Sequence, residues 1–151
     1  MSVLLFYGEI VMPKKTHTSR IDDRMRLELA LDIAQICMIE FERKGESLAI
    51  KSLENAYSVF GCTDTIVLRK IQHFDGMNIK SYVSKVSEKF LHHDDIKVIK
   101  DLITNLSNGN IFSSELRIMR TDGQYSWCKF IASPIEENGR LKDVSVRKIS
   151  N

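Results

Sequence analysis

The C-terminal stretch Ile111–Ile149 constrains the fold most. Ile111–Arg120, Tyr125–Ile135 and Leu141–Ile149 each alternate apolar and polar residues, and the turns Thr121-Asp122-Gly123 and Glu137-Asn138-Gly139 separate them. A period of two marks a strand with one buried face. Asp-Gly and Asn-Gly are favoured in hairpin turns because they tolerate positive φ. Upstream, Cys37–Glu42 alternates in the same way, Lys44-Gly45 supplies a turn, and Ser47–Ser52 alternates again. The strands are therefore predicted over 37–43, 47–52, 111–120, 125–135 and 141–149.

Helical signals fill the remainder. Leu53–Gly61 reads as a short helix stopped by Gly61. Cys62–Lys89 is less regular and accommodates two short helices and a loop. Asp94 is placed to cap a helix carrying Ile99, Leu102, Ile103 and Leu106 and ended by Asn108-Gly109. Near the start, Ser19 and Asp22 form an acidic variant of the capping box for a helix from about Ile21 to Gln35. Met25, Leu29, Ile33 and Ile36 recur along it at helical spacing, and Leu27, Leu31 and Ala34 widen the apolar face. Two strands and then three, split by helices, predict an α+β fold: a five-stranded antiparallel sheet with flanking helices and an N-terminal amphipathic helix. The organisation is an N-terminal extension over 1–20, the amphipathic helix over 21–36 and one domain over 37–151. Within the extension, the apolar run Ser2–Met12 is too short to span a bilayer, and Lys14-Lys15 follows it rather than preceding it as in a secretory signal.

Composition narrows the function. The chain has 151 residues, 43% of them hydrophobic, enough for one core. A net charge of +2 with interspersed signs favours neither nucleic acid nor an anionic membrane. Cys37, Cys62 and Cys128 are far apart and form no CxxC pair, which fits a reducing, cytoplasmic setting and small buried hydrophobes. His92-His93 is the one tight pair of metal-ligating type, and neighbours on a helix point apart, so no metal site is expected. A Gly-rich phosphate loop and a GxSxG motif are both absent. The paired acids Asp94-Asp95 and Glu136-Glu137 suit a helix N-terminus and a turn flank. No catalytic constellation stands out, and the expectation is a regulatory domain, not an enzyme.

The ordered motifs resemble PAS domains of the subclass with a PAC motif. Phe90-Leu91-His92-His93-Asp94-Asp95 is similar to that family's hydrophobic-HPDD helix start, with His93 in the place of Pro. Ser114-Glu115-Leu116-Arg117 and Arg120-Thr121-Asp122-Gly123 resemble its E-x-R strand and (K/R)-x-D-G turn, and Tyr125-Ser126-Trp127 its aromatic-x-Trp. Ser133-Pro134-Ile135, Asn138-Gly139 and the final strand complete the pattern. Leu53–Gly61 is similar to the family's N-P-A-x-x-x-L-F-G helix at Ala56, Phe60 and Gly61. The resemblance covers about residues 24–150. Two features depart from it: Lys148-Ile149-Ser150 stands where D-I-T is frequent, and the Cys62–Lys89 linker is longer than usual.

The resemblance implies a sensor that relays the state of a small ligand or partner to an attached output domain, of histidine kinase or GGDEF diguanylate cyclase type. Asn151 falls where an output linker is expected to begin. Strand alternation places Phe112, Ser114, Leu116 and Ile118 on one face, with Cys128, Phe130 and Ala132 on one face of the next strand and Val144 and Val146 on one face of the last. By resemblance these nine face the interior where PAS domains hold ligands. No cofactor is named by the residues. The G-x-N-C-R-F motif of light-sensing relatives is absent, which disfavours a flavin with a photoreactive cysteine. For haem, also disfavoured, His73, His92 and His93 are the available axial ligands against a default of solvated or capping histidines. The opposite sheet face carries Glu115, Arg117, Trp127, Lys129 and Ile131, where opposite charges are placed to pair across strands. Met25, Leu29 and Ile33, with Trp127 and Ile131, are the candidate contacts of a homodimer. The rival reading is a ligand-free dimerisation or protein-interaction module.

Overall fold

Five antiparallel strands form one sheet in the order β2-β1-β5-β4-β3. They are β1 (Ile36–Lys44), β2 (Ser47–Glu54), β3 (Phe112–Met119), β4 (Tyr125–Ala132) and β5 (Asp143–Lys148). The computed structural model describes residues 17–133 and 143–149; the first sixteen residues, the Glu137-Asn138-Gly139 turn and the residues flanking that turn lie outside them. β5 sits between β1 and β4, so the two hairpins joined early in sequence meet through the last strand. Ile39 faces Val144 and Phe130 faces Val146 across it.

The helices are α1 (His17–Ala34), α2 (Tyr57–Phe60), α3 (Asp64–Gln72), α4 (Ile79–Phe90) and α5 (Ile99–Ser107), with a 3-10 helix over His93–Val98. Thr63 caps α3 and Asn78 caps α4 through side-chain oxygens that accept from Ile66 N and Ser81 N. The inner sheet face and the helices after β2 bury the main core, including Cys37, Ile39, Leu48, Val59, Val67, Ile71, Tyr82, Leu116 and Cys128. Alternation along β1 puts Ile36 and Met38 on the other face, where they pack with Leu31 and Leu27 of α1. Arg24 of α1 also binds the Glu54 carboxylate at the end of β2, at 3.1 Å.

Carboxylates help close both sheet edges. On β2, Ile50 N donates to Asp75 Oδ1 (3.1 Å), which also accepts from the Tyr82 hydroxyl (3.0 Å). On β3, Arg117 N donates to Asp95 Oδ2 (2.8 Å), and His92 N donates to Arg117 O (3.0 Å). Edge groups that would otherwise template pairing with another chain are thereby satisfied internally.

The structure corrects several sequence expectations. The first helix already includes His17, so Ser19 lies inside it and does not precede it as a cap. Ile36 does not extend the Met25-Leu29-Ile33 stripe; it opens β1 and is buried under Leu31, while Ala34 is exposed. The chain breaks between them because Gln35 takes φ 55°, ending the helix and starting the strand. β2 runs on through Leu53, which is buried, and the following helix shrinks to Tyr57–Phe60. Asn55 makes that break: it takes φ 62° and its amide donates to Ile36 O at 2.8 Å. The cap after α4 is His92, whose Nδ1 accepts from Asp94 N at 3.1 Å, and not Asp94.

Candidate functional site

The inner face of the sheet and helices α4 and α5 line a cavity of about 100 Å³. Its floor is Ile39, Phe41, Phe112, Leu116, Ile118, Phe130, Ala132 and Val146 from four strands. Its roof is Tyr82, Val83, Val86, Ser87 and Phe90 from α4, Val98, and Ile99, Leu102 and Leu106 from α5. Leu48, Phe60, Ile71 and Leu91 complete the wall. The roof follows from helical spacing: Tyr82, Val86 and Phe90 are four residues apart, as are Leu102 and Leu106, so each set projects from one helix face. The floor follows from strand alternation.

The lining is almost wholly apolar. Tyr82 commits its hydroxyl to Asp75, and burial together with that hydrogen bond pushes its phenol pKa upward. Among the described residues no carboxylate, amine, imidazole or thiol lines the cavity. Such a lining offers an occupant burial and dispersion contacts and almost no polar partners. Engineered cavities of roughly 150 Å³ with this kind of lining stay dry and take xenon or benzene.

Of the nine sequence-derived interior residues, Phe112, Leu116, Ile118, Phe130, Ala132 and Val146 line this cavity. Ser114 and Cys128 do not. Ser114 is half-buried near the strand edge, its hydroxyl donating to Glu115 O at 3.4 Å. Cys128 is fully buried beside the cavity, its Sγ 3.6 Å from Ser126 O, and burial pushes its thiol pKa up to about 12. Cys37, in the same layer, is raised further by burial and by Asp64. Val144 pairs through its backbone with Ile39 and Ala132, and its side chain lies outside what is described.

Met25, Leu29 and Ile33 are exposed, at 62%, 59% and 74%, on the side of α1 away from Leu27 and Leu31. Trp127 is exposed on the outer sheet face and Ile131 is half-buried. Arg117 stacks over the Trp127 ring, 4.8 Å from its centroid, and forms an ion pair with Asp95 at 2.8 Å. On that face Glu115 and Lys129 stand opposite each other in register.

His92 and His93 do not point apart. Their rings stack at 4.3 Å between centroids, because His92 is extended (ψ 141°) and lies outside the 3-10 turn that His93 begins. With Asp94 they bring three ligand-type atoms within 4.8 Å of one another, although His92 Nδ1 is occupied as the cap acceptor. None of His73, His92 and His93 lines the apolar cavity.

A five-stranded sheet in the order 2-1-5-4-3, with helices between its second and third strands roofing an apolar cavity, is the architecture of a PAS domain. The family model described as "PAS fold" matches residues 76–146, and the fold of the chain is PAS-like. Among solved structures it is similar to the PAS domain of a protein from Colwellia psychrerythraea (TM-score 0.50, 17% identity, 83% of this chain and 96% of that one). It is also similar to a blue-light activated histidine kinase of Erythrobacter litoralis (TM-score 0.54, 13% identity, 82% of this chain and 36% of that one). A third is the N-terminal domain of a diguanylate cyclase with a PAS/PAC sensor from Marinobacter aquaeolei (TM-score 0.50, 10% identity, 76% of this chain and 94% of that one). At these identities the likeness is one of fold. No curated protein matches the chain. Among the described residues no helix is long and apolar enough to cross a membrane.

Proposed function

We propose that this domain senses a small apolar ligand in the cavity between the sheet and helices α4 and α5, and relays its presence to an output domain of histidine kinase or diguanylate cyclase type. The observation that carries this reading is the apolar space of about 100 Å³ left unfilled inside an otherwise packed core. A void costs stability, and a ligand that fills it returns contacts to its lining. Val146 lines the cavity from β5, and that strand ends at Lys148 beside the C-terminus of α1, where Lys148 N donates to Gln35 O. Filling or emptying the cavity therefore acts on a strand joined to both ends of the domain.

One observation favours the second reading, a homodimeric interaction module. Met25, Leu29 and Ile33 form an apolar stripe that α1 does not bury on its own domain. The two readings are compatible, and benzene separates their consequences. Ligand binding to the native state raises the melting temperature as benzene concentration rises. An unchanged melt in benzene-saturated buffer, with a dimer that dissociates on Leu29→Glu, leaves only the interaction module.

A further inference from the structure

A second cavity, also of about 100 Å³, lies on the other side of the Phe60–Phe90 pair. Those two rings meet edge-on at 5.2 Å and line both cavities, so they are the partition between them. The chemistry beyond the partition is different. Phe60, Phe90, Val67 and Met119 supply an apolar wall, while Lys70, Lys89 and Arg120 line the same cleft and, among the described residues, no carboxylate does. Lys70 and Lys89 have no ion-pair partner among the described residues. Arg120 is held in place: Nη1 donates to Val59 O at 3.5 Å, and Nε lies 3.9 Å from the exposed Asp122 carboxylate. Gly61, at φ 75°, lets its guanidinium lie against the backbone, since a Cβ there would sit 2.9 Å from Nη2.

Like charges do not gather without cost unless a counter-charge joins them, and an apolar wall beside them suits a ligand with an apolar body. We propose that this cleft binds an oxyanion carried on a small apolar group, an aryl or alkyl carboxylate or phosphate. The oxyanion meets Lys70, Lys89 and Arg120, and the apolar group lies against Phe60 and Phe90. The site is separate from the ligand cavity proposed above and does not depend on it.

Cys62 also lines the cleft and is partly exposed, whereas Cys37 and Cys128 are fully buried. Its thiol is therefore a built-in reporter. The test compares its labelling by an anionic aryl disulfide, 5,5′-dithiobis(2-nitrobenzoate), and by neutral 4,4′-dithiodipyridine. The double variant Lys70→Gln/Lys89→Gln should keep the wild-type melt and lower the anionic-to-neutral rate ratio by about tenfold. Phenyl phosphate should protect Cys62 at concentrations where phenol does not. Phenyl phosphate should also give saturable amide NMR shifts at Cys62, Arg120 and Thr121 that the double variant loses. An unchanged rate ratio in the variant, equal protection by phenol, or no saturable shift at millimolar phenyl phosphate would each overturn the proposal. Protection by inorganic phosphate equal to that by phenyl phosphate would contradict the apolar half of it.

Discussion

Asp95 accepts three hydrogen bonds from Arg117: from the backbone N at 2.8 Å, from Nε at 3.1 Å and from Nη2 at 2.8 Å. The Arg117 side chain holds the carboxyl below the usual aspartate range, against the opposing effect of burial. A carboxylate with a depressed folded pKa stabilises the fold above its unfolded value, and that stability is lost as pH falls through the folded one. Asp95→Asn should therefore cost about 1–3 kcal/mol at neutral pH, by leaving a strand-edge amide and a guanidinium poorly paired. In acid the cost should shrink, so the melting curves of variant and wild type converge as pH falls below the ordinary aspartate range. A constant difference across that range would contradict this role. Gly61→Ala should cost about 1 kcal/mol in denaturant unfolding, chiefly because alanine resists φ 75°. Sequence reading located the His-His-Asp-Asp turn and chose Asp94 as its cap. It missed that His92 takes the cap and that the neighbouring Asp95 turns inward, because the partner it meets, Arg117, is 22 residues away along the chain.

At the scale of elements, α1 separates two kinds of leucine. Leu31 is 1% exposed and packs on Ile36 and Met38, whereas Leu29 is 59% exposed. Leu31→Ala should destabilise the monomer fold by about 2–5 kcal/mol in denaturant unfolding. Leu29→Glu should leave that stability within about 0.5 kcal/mol and instead shift sedimentation from dimer to monomer. If wild type sediments as a monomer at micromolar concentration, the stripe is not a dimer seam. Periodicity made the helix legible but not its orientation, since apolar residues occur on both sides of it: Leu27 and Leu31 on one, Met25, Leu29 and Ile33 on the other. The direction is set by the Gln35 break, which docks the Leu31 side onto β1. Beside the Lys44-Gly45 and Thr121-Asp122-Gly123 turns the strand ends were legible to within a residue, whereas β4 stops at Ala132, short of the expected 135. Leu53 shows the limit, because a buried leucine followed by polar residues fits the end of a strand and the start of a helix equally well.

For the whole molecule, turn chemistry and alternation carried the five strands and the inward faces of β3 and β4. The order of the strands rests on the insertion of β5 between β1 and β4, a pairing between the two ends of the domain that no local signal encodes. Six interior residues marked by alternation reach the cavity, but its roof on α4 came from the stretch hardest to read, where Tyr82, Val86 and Phe90 are diluted by serines and lysines. The basic cleft was not legible at all: Lys70 and Lys89 lie on α3 and α4, Arg120 lies in the β3–β4 turn, and the three share no motif. The central claim is that the space beneath α4 and α5 takes a small apolar ligand. Methyl-resolved NMR under xenon pressure tests it most directly. The predicted result is a saturable shift confined to cavity methyls such as those of Val86, Leu102, Leu116, Ile118 and Val146, with Leu27 and Leu31 unaffected. Shifts spread evenly over the surface, or no saturation, would mean that the core is filled and the sensing account is wrong.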